Sequence, residues 1–334
     1  MNLSRIYRRS TLLAIFSALC LPVALALSSA AQAGTWPERE IHIVVPWPAG
    51  GESDIFARAL AQDLNVRLKQ PVIIENKAGA GGAIGIRHVA NAKPDGYTFL
   101  FGNTTSMVGN VVLATEPVKF DPVKDFTPIA IVVDTSYVLW AHPSLGVKTF
   151  DELLARARDK SKPPLAFGTT ASGAVSELSV EQLGRVYKLD LLKVPYKGTA
   201  PQVGDLLAGH TQFGTATLAV TIGAYKEGRL VPLLVIGNER LPELPNIPTR
   251  KEIGITDPDL TVWNGLFAPA GTPKEIVDTL TRAVGEAVKS KVFRDIADGN
   301  GNLAIFQPGA QAAARVERDL ESRRRYKEQV ESGK

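Results

Sequence analysis

Short apolar runs alternate with amphipathic helical segments along the chain, and this alternation limits the possible folds more than any other feature. The apolar run Ile41–Val45 precedes a helical stripe over Asp54–Lys69, and strand-like segments follow at Val72–Glu75 and Tyr97–Phe101 with a helix at Ile84–Ala92 between them. This β-α-β-α-β order predicts a mostly parallel sheet with right-handed crossovers.

The same plan recurs in the second half of the chain. Strand-like runs occur at Leu165–Gly168, Leu191–Pro195 and Leu230–Ile236, and helical segments at Val175–Tyr187 and Ala200–Leu207 lie between them. The sequence therefore predicts an α/β protein with two doubly wound units of similar design.

Two longer segments connect the units. Phe126–Ser144 is long for a single strand and is interrupted at Asp134-Thr135, so we interpret it as a crossover from the first unit to the second. Leu260–Pro273 then returns to the first unit, with Thr272 expected as the N-cap of the next helix. Domain I is thus predicted to comprise 34–135 and 257–334, and domain II 136–256. Two crossings of this kind produce a hinged ligand cleft.

Residues 1–33 have the composition of a secretory signal peptide. Arg5, Arg8 and Arg9 precede the apolar segment Thr11–Leu27, and Ala31-Gln32-Ala33 matches a small-x-small cleavage site. We expect cleavage after Ala33 and a periplasmic product. An uncleaved membrane anchor and twin-arginine export are the alternatives; the apolar segment is short for an anchor.

Removal of this leader changes the charge balance. The full chain has 38 basic and 34 acidic residues, and the leader contains three arginines and no acid, which leaves 35 against 34 and a net charge of +1. A nearly neutral protein gives no reason to expect nucleic-acid or membrane binding. The only cysteine, Cys20, leaves with the leader, and the four histidines have no metal-ligand spacing. We expect no cofactor, no metal and no catalytic residues.

The loop after the first strand has the features of an anion-binding cradle. Its glycines allow close backbone approach, and the unpaired N–H groups and dipole of the helix that follows favour a carboxylate or phosphate. The predicted ligand-binding residues of this loop are Trp47, Ala49, Gly50, Gly51, Glu52, Ser53 and Asp54.

A second loop of small and hydroxyl residues joins Leu165–Gly168 to Val175–Tyr187, and two such loops could face each other across the cleft. Further ligand contacts are expected after the strand Tyr97–Phe101. The additional predicted binding residues are Asn103, Thr104, Thr169, Thr170, Ala171, Ser172, Gly173 and Ala174.

Glu52 is an unexpected residue for an anion cradle. In one interpretation its side chain points to solvent or caps the first helical turn, where a carboxylate is favoured. In the other it faces the cleft and selects against a second ligand carboxylate, favouring an amide, hydroxyl or cationic group.

Two further motifs have alternative interpretations. The spacing Gly79-x-Gly81-x-x-x-Gly85 misses the dinucleotide fingerprint, so we attribute these glycines to tight helix packing. Ser53 or Ser172 would be a nucleophile only if a base lay nearby, which leaves an exported hydrolase as a hypothesis of a different class.

Long ordered motifs give the chain a family resemblance from about Trp36 to its end. The chain resembles the receptors of the tripartite tricarboxylate transporters, the Bug or TctC family. The matching segments are Ile43-Val44-Val45-Pro46, Ala49-Gly50-Gly51, Asp54, Arg58, Pro94-Asp95-Gly96-Tyr97-Thr98, Val194-Pro195-Tyr196-Lys197-Gly198 and Trp263–Pro273.

The resemblance implies the two-domain fold of type II periplasmic binding proteins and no enzymatic activity. It implies a monomeric receptor that captures a small organic acid, or a related amide or aromatic acid, and closes around it. The partners would be the large and small membrane subunits of a tricarboxylate-type carrier; a membrane signalling protein is the alternative partner. Departures from the family pattern at Ala174, Glu177 and Gln212 put the usual dicarboxylate ligand in doubt.

Overall fold

The computed structural model describes residues 36–113, 118–169, 174–196, 199–256 and 260–332. Every element named below belongs to the unit Arg39–Lys334. The chain folds into two α/β domains, each built on its own mixed sheet, one of six strands and one of five.

The first sheet contains strands from both ends of the chain. In chain order its strands are β1 (Ile41–Val45), β2 (Val72–Asn76), β3 (Thr98–Asn103), β4 (Phe126–Thr135), β10 (Val262–Pro269) and β11 (Asn302–Pro308). They are arranged β11-β4-β10-β3-β1-β2 across the sheet.

Helices follow most of these strands. They are α1 (Glu52–Leu68), α2 (Ala83–Ala90), α3 (Asn110–Leu113), α8 (Lys274–Val288), α9 (Lys291–Gly299) and α10 (Gly309–Glu331), with a 3₁₀ turn at Ala80–Gly82 and a π-helical turn at Thr105–Gly109. Apolar residues of α2 and α10 pack with β1, β3 and β10 in one buried cluster that includes Leu100, Trp263 and Phe267.

The second sheet is formed by the middle of the chain. Its strands are β5 (Tyr137–Ala141), β6 (Leu165–Thr169), β7 (Leu191–Pro195), β8 (Phe213–Thr217) and β9 (Val231–Ile236), in the order β7-β6-β8-β5-β9. Its helices are α4 (Phe150–Arg158), α5 (Val175–Tyr187), α6 (Thr199–Leu207) and α7 (Leu218–Lys226).

Both faces of this second sheet are covered. On one face, Leu139 and Phe167 belong to a buried cluster with residues of α4 and α5. On the other face, Val138 and Trp140 pack with residues of α6 and α7. Alternate residues of β5 therefore point into two separate cores, as expected for a sheet between two helical layers.

The predicted crossover from one domain to the other is confirmed. β4 lies in the first sheet and β5 in the second, and only Ser136 separates them. The interruption is therefore at Ser136, one residue beyond the predicted Asp134-Thr135. The return is also confirmed, since β9 lies in the second sheet and β10 in the first.

Two expectations about the elements were wrong. The sheets are mixed rather than mostly parallel, because the crossing strand β10 runs antiparallel to β3 and β4, and β5 runs antiparallel to β8 and β9. Thr272 is not an N-cap: its hydroxyl donates to the Pro269 carbonyl oxygen at 2.8 Å, and Pro273 is the N-cap residue of α8.

The glycine cluster before α2 has the packing role inferred from the sequence. A Cβ atom on Gly85 would lie 2.7 Å from the Lys77 carbonyl oxygen and 3.0 Å from the Cα of Pro46, both backbone atoms. Only glycine lets α2 approach the end of β1 this closely.

Gly85→Ala should therefore lower the free energy of unfolding by about 1–3 kcal/mol, because the helix must move away from β1. Gly204→Ala is the matched control. Gly204 is also helical, in α6, and its Cβ would meet nothing within 4 Å, so this variant should be neutral or slightly more stable. Urea denaturation of both variants measures the difference. Equal stabilities would contradict the packing argument.

Candidate functional site

A cavity of about 580 Å³ lies where the two domains meet, and its walls come from both. This volume is in the range typical of small-molecule sites. We call it the cleft cavity; its described lining residues are Trp47, Pro48, Ala49, Gly50, Gly51, Glu52, Ser53, Asn103, Thr105, Tyr137, Thr199, Thr217, Val220 and Val262.

The loop between β1 and α1 is held in shape by the carboxylate of Asp54. Asp54 Oδ2 accepts hydrogen bonds from the Gly50 N–H and from Arg58 Nε, each at 2.9 Å, and Oδ1 accepts one from Asn76 Nδ2 at 2.9 Å. Asn76 Nδ2 also donates to the Trp47 carbonyl oxygen at 3.1 Å. Asp54 and Asn76 together fix the path of the loop on both sides of its glycines.

These contacts also set the charge of Asp54. Burial acts to raise the pKa of this carboxyl, but the hydrogen bonds from Arg58, Gly50 and Asn76 outweigh it and leave the pKa below its ordinary value. Asp54 is therefore ionised at neutral pH and provides structural support beneath the cavity lining.

The donors of the cradle differ in part from those expected. The Gly50 N–H is already bound to Asp54, so it is not available to a ligand. The N–H groups of the first turn of α1, at Glu52 and Ser53, have no partner four residues earlier within the helix. Trp47 Nε1 is buried and makes no hydrogen bond to any described residue, although its side chain lines the cavity.

Ser53 is linked to two carboxamides. Its hydroxyl donates to Asn264 Oδ1 at 2.7 Å and accepts from Asn103 Nδ2 at 3.2 Å. Neither amide can remove a proton, so these partners do not activate Ser53 as a nucleophile. The same contacts fix Asn103, at the end of β3, against the first turn of α1.

Glu52 turns into the protein. Its Oε1 accepts hydrogen bonds from Thr135 Oγ1 at 2.5 Å and from Asn264 Nδ2 at 3.2 Å. The N-cap residue of α1 is Gly51, and no side chain makes a capping hydrogen bond to this end of the helix. The first interpretation, that Glu52 points to solvent or caps the helix, is therefore wrong, and the side chain lines the cleft cavity.

The surroundings of Glu52 disfavour its charged form. Part of the residue remains accessible from the cleft, but the cavity walls enclose the carboxyl. This burial raises its pKa above the ordinary value of 4.5, and the hydrogen bonds from Thr135 and Asn264 oppose the shift only in part. The pKa of Tyr137 is also raised, first by burial and then by the negative charge of Glu52. The charge of Glu52 therefore affects the ionisation of Tyr137, which also lines the cavity.

The second predicted loop lies largely outside the described residues, which include neither Thr170, Ala171, Ser172 nor Gly173. Thr169 is buried at the end of β6, and Ala174 is the N-cap residue of α5. Neither is among the described lining of the cleft cavity.

Two of the departures from the family pattern lie away from the cleft cavity. The buried Glu177 forms an ion pair with Lys193 at 2.7 Å. Gln212, just before β8, accepts from the Ala166 N–H of the neighbouring strand β6 through its Oε1 at 2.9 Å. Both residues therefore act in the structure of domain II.

The structure brings together seven of the fifteen predicted binding residues in the cavity lining: Trp47, Ala49, Gly50, Gly51, Glu52, Ser53 and Asn103. Asp54 supports the loop from behind. Thr104 is buried and accepts from the Trp263 N–H at 2.8 Å, away from the cavity. Ligand contact by the seven stays a prediction.

Several lining residues were not predicted. Thr217 is the last residue of β8 and Thr105 lies just after β3, so both are at strand ends, where the sequence pattern could have identified them. Tyr137 begins β5 immediately after the crossover, and Val262 begins β10 at the return crossing. Both residues lie next to the crossings between the domains, so the crossings contribute to the cavity lining.

Two other kinds of site are absent from the residues that the structure describes. They contain no cluster of three or more histidine, cysteine, aspartate or glutamate side chains able to hold a metal ion. None of the helices formed by those residues is both long and apolar enough to cross a membrane.

Comparison with known families gives a match over most of the chain. The model of the tripartite tricarboxylate transporter family receptor matches residues 56–330. Protein BugT of Bordetella pertussis is 31% identical over 281 residues, which cover 84% of this chain and 86% of BugT.

Solved structures with the same fold include the periplasmic binding protein BugD, at 30% identity and a TM-score of 0.72 over 89% of this chain and 99% of BugD. MatC from Rhodopseudomonas palustris, solved with bound malate, is 30% identical with a TM-score of 0.70 over 86% of this chain and 99% of MatC. An R. palustris protein solved with adipate is 30% identical with a TM-score of 0.71, over 88% and 97% respectively.

The raised pKa of Glu52 has a consequence for stability. The folded protein holds the Glu52 proton more tightly than the unfolded chain does, so stability falls as pH rises from about 4.5 through the raised value. Glu52→Gln removes this loss. The variant should be more stable than the wild type at pH 8, and the difference should shrink as the pH falls toward 4.5.

Thermal unfolding between pH 4.5 and 8 measures this effect. The matched control is Glu275→Gln, because Glu275 also lies in the first turn of its helix, α8, but is exposed. The control should show no such pH-dependent gain. A stability difference for Glu52→Gln that stays constant with pH would contradict the assignment.

Proposed function

Because the chain belongs to the tripartite tricarboxylate transporter family of receptors, we propose that it captures a small organic acid in the cleft cavity and delivers it to a membrane carrier. The family consists of solute-binding receptors and not of enzymes. The large and small membrane subunits of a tricarboxylate-type carrier are the proposed partners, and the receptor is proposed to act as a monomer.

The observation that supports capture most directly is that residues lining the cleft cavity carry unused hydrogen-bond donors. Trp47 Nε1 is a buried donor without a partner among the described residues, and such groups are rare unless a ligand or water completes them. The free N–H groups of Glu52 and Ser53 lie at the positive end of the α1 dipole. A ligand carboxylate would satisfy both sets of donors.

Relatives support the choice of an organic acid. MatC was solved with malate and another R. palustris protein with adipate, and both share this fold at 30% identity. We therefore propose that the ligand of this chain also carries a carboxylate, and we do not transfer the identity of either ligand. In the proposed mechanism the ligand contacts both domains and so stabilises the closed arrangement about the crossings at Ser136 and before β10.

The proposal also includes the bounds of the two domains and the cellular location of the protein. We propose bounds of 34–135 and 257–334 for domain I and 136–256 for domain II, and the sheet to which each strand belongs supports this division. Members of the family are periplasmic binding proteins. We propose that this chain is also periplasmic, after cleavage of its leader behind Ala33.

Disrupting the support of the cradle should weaken capture. Asp54→Ala removes the acceptor that fixes Gly50, Arg58 and Asn76, so the loop loses its binding geometry, and affinity for a carboxylate should fall by about tenfold or more. Ligand-stripped protein is screened by thermal shift against mono-, di- and tricarboxylates and aromatic acids. A ligand at 100 times its Kd stabilises the wild type by about 2.7 kcal/mol.

The matched control is Asp63→Ala. Asp63 lies on the same helix and pairs with Arg67 four residues on, as Asp54 does with Arg58, but outside the loop. This variant should keep the ligand-induced shift. Absence of a shift for the wild type with every compound would overturn the proposed capture of organic acids.

Export can be tested separately. Expression of the full chain in a Gram-negative host should give a periplasmic protein whose intact mass starts at Gly34. Leucine at both Ala31 and Ala33 should block cleavage and retain the precursor at the membrane, because the processing site needs small side chains. A wild-type product that keeps residues 1–33 would contradict the assigned cleavage site.

A further inference from the structure

Glu52 places a carboxyl group in the wall of the cleft cavity with one oxygen open to a ligand. Thr135 and Asn264 both donate to Oε1. Oε2 makes no hydrogen bond to the described residues, and the side chain lines the cavity. A ligand can therefore reach Oε2, while Oε1 holds the carboxyl at a fixed position.

The charges around this oxygen come from few groups. Among the described lining residues, Glu52 is the single acid, and none is a lysine, arginine or histidine. The other acid of this loop, Asp54, is directed to Arg58 and Asn76 behind the lining. The titratable lining residue whose pKa is raised by the charge of Glu52 is Tyr137.

We infer that Glu52 sets the ligand class of the cleft cavity: a small monocarboxylate whose second polar group is a hydrogen-bond donor, such as an amide, hydroxyl or ammonium, in preference to a dicarboxylate. This inference rests on the proposed capture of a small carboxylate. The ligand carboxylate would lie at the start of α1 and near Trp47 Nε1, and the second group would donate to Glu52 Oε2.

At a pH above the pKa of Glu52, a second ligand carboxylate is disfavoured by the charge of Glu52 or by the cost of protonating it. The ionised form repels it at close range in an enclosed site. The protonated form can donate to it, but keeping that proton costs about tenfold in affinity for each unit by which the pH exceeds the pKa of Glu52. An amide or ammonium meets neither penalty, because its N–H donates to Oε2 directly.

The inferred ligand class differs from the ligands of two solved relatives. Malate, bound to MatC, and adipate, bound to the other R. palustris protein, each carry two carboxylates. We expect this chain to disfavour such diacids at neutral pH, although the fold and the loop that forms the cradle are shared.

Matched ligand pairs test the inference. Succinamate with succinate, glutaramate with glutarate and adipamate with adipate differ only in whether the second group is an amide or a carboxylate. Isothermal titration calorimetry of the ligand-stripped full mature chain at pH 7.5 should show that the wild type binds the best monoamide about tenfold or more tightly than its diacid.

Glu52→Gln should reverse the preference. The new amide keeps an oxygen for Thr135 and Asn264 and presents an N–H where Oε2 stood, so the diacid should bind about tenfold or more tightly than to the wild type. The monoamide, now facing a donor, should bind more weakly. Glu275→Gln, which alters an exposed helix residue, should reproduce the wild-type ratio.

The outcomes separate the two claims. A wild type that binds diacids as tightly as their monoamides, or a ratio unchanged in Glu52→Gln, overturns the inference and leaves carboxylate capture intact. If neither member of any pair binds the wild type or the variant, both the capture proposal and the inference fail. The wild-type ratio alone decides the inference if Glu52→Gln does not fold.

Discussion

The cleft depends on one buried carboxylate, Asp54, that gathers the parts of a glycine-containing loop. The loop between β1 and α1 cannot hold its own shape, because glycines add conformational freedom rather than contacts. Asp54 supplies the missing restraint through the Gly50 N–H, Arg58 and Asn76. Since Asn76 ends the neighbouring strand β2, the loop is anchored to the sheet, and the first turn of α1 is aimed into the cavity.

A second set of contacts joins this loop to both connections between the domains. Thr135 ends β4 just before the crossover, and Asn264 lies in β10 just after the return. Glu52 bonds to both, and Ser53 also bonds to Asn264. A ligand that shifts the charge or position of Glu52 therefore acts on the two strands about which the domains would move, which couples recognition to closure.

Much of this architecture could be predicted from the sequence, because strands and helices have strong periodic signals. The bounds of α5, β1 and β7 agree with the structure residue for residue. The direction of the strands was harder to predict. β4 and β10 are as apolar as buried parallel strands, and they are antiparallel only because of the path that the chain takes between the domains. The lining residue Tyr137 was missed for the same reason, since no local motif records which strands meet at the cavity.

The direction of the Glu52 side chain could not be predicted from the local sequence. A carboxylate in the first turn of a helix is favoured by the dipole wherever its side chain points, so the local pattern suits both interpretations. The direction of the side chain is set by hydrogen bonds from Thr135 and Asn264, which lie 83 and 212 residues further along the chain. The departures at Glu177 and Gln212, by contrast, form an ion pair and a backbone contact within domain II. Of these three residues, only Glu52 lines the cleft cavity, where the strands β4 and β10 bind its side chain.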